Sequence, residues 1–76
     1  MTWLPLESKM LASVAYDAEK HLLYLRFRDR GDVYRYGEFP VAEYQAFLAA
    51  ESKGRFFLAR IRDHFPYQRL AQLQVA

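Results

Sequence analysis

The chain has 76 residues, room for one small domain whose core must be thin, since a chain of this size buries only about 60% of its unfolded surface. Six Phe, six Tyr and one Trp supply the large apolar area that such a core needs, and the absence of cysteine excludes disulfides, thiol catalysis and cysteine zinc sites. The net charge of +2 is too small to imply a polyanionic partner, although eight Arg against three Lys favour the side chain that stacks on rings and grips phosphate through two bonds.

The opening MTWLPLESKM has no basic region followed by an apolar run, and no stretch approaches the roughly 20 apolar residues of a membrane span. A cytoplasmic protein with no membrane contact is the expectation. Three segments then alternate with a period of two. In MLASVAYD, Met10, Ala12, Val14 and Tyr16 oppose Leu11, Ser13 and Ala15. In HLLYLRFR, Leu23, Leu25 and Phe27 oppose Leu22, Tyr24, Arg26 and Arg28. In DVYRYG, Tyr34 and Tyr36 oppose Val33 and Arg35. The intervening DAEK and DRGD are rich in turn residues. Pairing Arg28 with Val33 across DRGD sets Phe27 against Tyr34 and Leu25 against Tyr36, so the YRY tyrosines face the core with Leu23, Leu25, Phe27, Val14 and Tyr16. The same register places Arg26 directly across from Arg35 on the open face, an unfavourable like-charge pair that a bound anion would relieve.

From Pro40 onward the spacing is helical. Pro40 suits a first turn, and Val41, Tyr44 and Leu48 recur at three and four residues, with the helix running to about Ala50. Ser52 is an N-cap candidate for a second helix that Phe57 and Ile61 bury and that Phe65–Pro66 ends. Gly54 in its first turn is costly for a helix and implies close packing or a corner. Residues 68–76 form a tail with Leu70 and Leu73 at helical spacing. The expected fold is α+β, a three-stranded antiparallel β-meander with two C-terminal α-helices packed on one face, in a single domain over 1–76 with its core at about 8–67.

In order, VAYD, LYLRF, VYRY, FP with EYQAFL, AAESKGRFF and IRDHFPY resemble the KTSC domain, a small bacterial domain that also occurs at the C-terminus of some lysyl-tRNA synthetases. The resemblance covers roughly Ser8 to Tyr67. Glu7–Ser8, Ala15 and Leu58 depart from it, standing where a serine pair, a glycine and an asparagine are usual. It implies a domain of unknown activity for which RNA binding has been suggested.

The residues themselves offer no catalytic or metal site and no cofactor. Ser52 is explained as a cap, His21 sits at a hairpin end and His64 near a helix end, and the neighbours Asp63 and His64 point apart on a helix. The basic residues lead instead. Arg26, Arg28 and Arg35 with Tyr24 decorate the open sheet face, and Arg55 and Arg62, seven apart, share one flank of the second helix. These six are the candidate nucleic-acid contacts, because sheet faces with rings and guanidiniums hold single-stranded RNA by stacking and phosphate contact. Only Tyr24 is expected as an exposed ring there. The alternative is a protein-interaction module or homodimer, docked through a sheet edge or through an open face made apolar by Leu11, Leu22 and Val33.

Overall fold

The computed structural model describes residues 1–70. Within them, five strands form one antiparallel sheet in chain order, β1 (Leu4–Pro5), β2 (Leu11–Asp17), β3 (Leu22–Phe27), β4 (Val33–Tyr36) and β5 (Tyr67–Leu70). Helix α1 (Val41–Ala49) and helix α2 (Lys53–Phe56) lie between β4 and β5, and α2 runs on into a π-helical turn, Phe57–Ile61.

The three expected strands are present, but the sheet has five. β1 has two residues, one of them a proline without an N–H, which only an edge strand tolerates. β5 occupies Tyr67–Leu70, where the leucine spacing of the tail predicts helix; the remainder of that tail lies outside the described residues. Its pairing with β4, Tyr36 to Tyr67 and Val33 to Leu70, satisfies an edge that would otherwise be open.

The β3–β4 register differs by two residues from the one the turn residues suggest. Arg26 pairs with Val33, Tyr24 with Arg35, Leu25 with Tyr34 and Leu23 with Tyr36. Gly31 is the reason. It takes φ 74°, a left-handed conformation that glycine enters without a Cβ penalty, and so ends the loop; its N–H donates to the Phe27 carbonyl while the Phe27 N–H donates to the Asp32 carbonyl. A two-residue slip preserves which face each side chain meets, so the core tyrosines stay inside. It removes the Arg26–Arg35 opposition.

A β-bulge at Ala12 changes the first strand. Leu11 pairs with Phe27 and Ser13 with Arg26, so one extra residue turns Leu11 from the open face into the core. Leu11 is fully buried there, and Val33 is fully buried on the other face, so neither makes the open face apolar. The core joins Val14, Leu23, Leu25 and Tyr36 of the sheet to Phe39, Phe47, Phe57 and Ile61 of the helical segment. Phe56 packs edge-on against Phe47.

Ser52 caps α2 as expected, its Oγ accepting the Arg55 N–H at 3.2 Å. The helical segment ends at Ile61, four residues before the expected stop, because Arg62 turns to extended backbone and Asp63 takes φ 68°. Arg62 therefore leaves the helix and does not share a flank with Arg55.

Candidate functional site

The two faces of the sheet differ in cover. Both helices pack on the face carrying Val14, Leu25, Tyr34 and Tyr36, and among the described residues no helix covers the other. Across the helix-free face one row reads Ala15, Tyr24, Arg35 and Gln68, and the next reads Ser13, Arg26, Val33 and Leu70, because pairing partners share a face.

Tyr24, Arg26 and Arg35 are thus brought together, on adjacent rows. Tyr24 is half-buried, and Trp3 joins it: the rings meet edge-to-face with centroids 6.4 Å apart, and the Arg26 guanidinium carbon lies 5.2 Å from the centre of the Trp3 ring. Arg26 also donates to the Gly31 carbonyl at 3.3 Å, and Arg35 donates to the Gln68 side-chain oxygen. Trp3 precedes any alternation, so periodicity does not single it out. Leu4–Pro5, an extended pair beside it, is the signal that an edge strand starts here.

The other three candidates lie elsewhere. Arg28 donates to the carbonyls of Ser8 at 2.8 Å, Leu6 at 3.0 Å and Leu11 at 3.3 Å, so its guanidinium ties the N-terminal segment to the end of β3. Arg55 projects from α2 beside Ser8 and Lys9. Arg62 stands beyond the π turn, 3.8 Å from the Asp63 carboxylate. Both are on the helical side of the sheet.

A second concave feature opens on that side. A cleft of about 570 Å³ lies between the β3–β4 hairpin and the π turn, with Phe27, Tyr34, Tyr36, Phe57 and Tyr67 among its walls. Charged residues rim it: Asp29, Asp32 and Asp63 against Arg30 and Arg62. Tyr34, Tyr36 and Tyr67 have ring centroids 5.8 to 6.3 Å apart. Burial above all, then the neighbouring phenols of Tyr34 and Tyr67 and the Asp63 carboxylate, raise the Tyr36 pKa far above the usual tyrosine value. The π turn at one wall, a helix variant frequent at functional sites, has no signal in the sequence.

Among the described residues no three His, Asp or Glu side chains converge as metal ligands would, and no helix is long and apolar enough to cross a membrane.

A five-stranded antiparallel meander with one face under a helical insertion and the other carrying a Trp–Tyr–Arg cluster defines a small α+β domain. Residues 7–65 match the KTSC domain, and the chain belongs to that family. It is 38% identical over 61 residues to a protein of Tsukamurella paurometabola, covering 80% of this chain and 90% of that one. An uncharacterized protein of Stutzerimonas stutzeri is 37% identical over 71 residues, 92% of this chain and 99% of that one. The crystal structure of a KTSC domain protein from Yersinia pestis superposes with a TM-score of 0.87 at 33% identity, covering 92% of this chain and 97% of the other.

Proposed function

We propose that this domain is a non-enzymatic binding module that holds single-stranded RNA on the helix-free face of its sheet. Trp3 and Tyr24 are the base-stacking pair, and Arg26 and Arg35 contact phosphate. The observation that carries this reading is the Trp3–Tyr24 contact with the Arg26 guanidinium set over the Trp3 ring. Stacking of a base on an aromatic side chain contributes about 1–3 kcal/mol and tolerates any sequence. Arg35 bonds a neutral amide oxygen, and a phosphate in its place would bring the opposite charge and a second acceptor for the guanidinium fork.

Trp3 is the single tryptophan, so its fluorescence reports this face alone. Titration with a mixed-sequence single-stranded RNA should quench it, more weakly as salt rises. Arg26→Ala with Arg35→Ala should flatten the salt dependence by about 0.7 of a log unit for each phosphate left without its arginine. No quenching at low salt would reject the proposal.

One observation favours a second reading, self-association. β1 pairs with only Ser13 and Val14 of the seven-residue β2, which leaves the Ala15–Asp17 end of that strand beyond the reach of β1. A second copy could add there. Sedimentation that stays monomeric at high protein concentration would remove this alternative.

A further inference from the structure

The cleft on the helical side is unlike the sheet face. Its walls are aromatic, and its mouth carries both carboxylates and guanidiniums. We infer that it binds a small organic cation of the quaternary ammonium or guanidinium class, seated against the rings of Tyr34 and Tyr67.

Size is the first consideration. About 570 Å³ falls inside the range of roughly 300–1,000 Å³ typical of small-molecule sites. Ring chemistry is the second. The faces of tyrosine rings carry negative potential, and clustered aromatic rings are the usual way proteins hold organic cations. Tyr67 is 61% exposed and Tyr34 is half-buried, so both present surface to an incoming group, while Tyr36 is buried behind them. Phe27 and Phe57, edge-to-face at 5.2 Å, back the site and keep the rings in place.

Charge is the third consideration, and at the mouth it is balanced. Asp29, Asp32 and Asp63 stand against Arg30 and Arg62 of the lining and Arg69 beside Asp32, three carboxylates to three guanidiniums. Asp32 is bonded to Arg69 at 3.2 Å, and the 3.8 Å contact between Arg62 and Asp63 is long and solvated. With the charges balanced, the ring faces decide the sign, and they attract an ammonium and not a phosphate. Such a ligand is independent of RNA on the other face.

Choline and its neutral isostere 3,3-dimethylbutan-1-ol separate the possibilities, read by the tyrosine ring resonances in NMR titrations. Choline should shift the rings of Tyr34 and Tyr67 with millimolar affinity, at least about fivefold tighter than the alcohol, because only the cation gains from the charge on the ring faces. Tyr67→Ala should abolish most of that affinity, with the fold checked by amide resonances. Arg62→Gln should raise choline affinity about two- to threefold by removing a competing positive charge. Equal affinity for the alcohol would overturn the proposal in favour of a merely apolar cleft. Weaker choline binding by Arg62→Gln, or tighter binding of adenosine monophosphate than of choline, would overturn the choice of charge. No shift with choline or with methylguanidinium would overturn the site itself. Trp3 fluorescence and the Tyr67 ring report different faces, so this reading and the RNA reading fail separately.

Discussion

The Tyr16 hydroxyl donates to the Phe39 carbonyl at 2.6 Å, joining β2 to the segment that leads into α1, 23 residues later in the chain. The same ring stacks on Tyr44 of α1 with centroids 4.4 Å apart. Tyr16→Phe keeps the stack and leaves the carbonyl without this donor. The variant should lose ~1–2 kcal/mol in denaturant unfolding, the cost of one unmade bond at a partly buried carbonyl. An unchanged midpoint would mean that water replaces the hydroxyl without loss.

Arg28 is a brace in this structure, and that separates it from the arginines on the open face. Arg28→Ala unties the carbonyls of Leu6, Ser8 and Leu11. Because the Arg28 side chain is exposed, water can take its place once it is removed, so the expected loss is ~1–2 kcal/mol, below that of a buried charged bond. The salt dependence of RNA binding should not change. A flatter slope with unchanged stability would return Arg28 to the ligand contacts.

Alkaline pH should destabilise the domain through its tyrosines. Tyr16, Tyr36 and Tyr44 all have raised pKa values, with burial as the leading cause in each. Above the ordinary tyrosine value of about 10 the unfolded chain has released protons that the folded chain still holds. Stability is therefore complete below pH ~10 and falls as pH rises toward the folded-state values. Thermal unfolding measured from pH 8 to pH ~11.5 should show Tm declining above pH ~10. Tyr36→Phe, which removes the largest shift, should show the shallower decline. Equal slopes for the two proteins would contradict the assignment.

The first turn of α2 should respond in opposite directions to two alanines. Ser52→Ala removes the acceptor for the Arg55 N–H and should cost ~1 kcal/mol. A Cβ on Gly54 would stand 3.6 Å from the Met10 Cβ and 3.8 Å from the Ser8 Oγ, ordinary contacts that require no movement. Gly54→Ala should then stabilise the domain by up to ~1 kcal/mol through reduced freedom of the unfolded chain. A destabilised Gly54→Ala would show that the approach to Met10 tolerates no extra atom.

Local pattern was sufficient for the central strands and for the two faces of β3 and β4. Alternation at Leu23, Leu25 and Phe27, and at Tyr34 and Tyr36, places these residues on the core side in any register that slips by two, because side-chain direction has a period of two. The extent of helix α1 and the Ser52 cap were legible too, but the Val41, Tyr44 and Leu48 spacing did not mark its buried face, since Val41 and Leu48 are exposed and Phe47 is buried. The expectation of Tyr24, Arg26 and Arg35 on one open face rested on that same parity, and the structure has them there.

Loop conformation and partners distant in sequence decided the rest. The β3–β4 register follows from the left-handed Gly31, and the core position of Leu11 from a bulge at Ala12 that appears only when β2 is laid against β3. β1 and β5 are too short to show a period, and both exist because a neighbouring strand supplies their hydrogen bonds. Trp3 reaches Tyr24, and Tyr67 reaches Tyr34 and Tyr36, through those two edge strands. The aromatic pair on the open face and the tyrosine cleft are therefore products of tertiary pairing. A period can be read from adjacent residues, whereas the meeting of an N-terminal or C-terminal segment with the hairpin depends on chain closure over tens of residues.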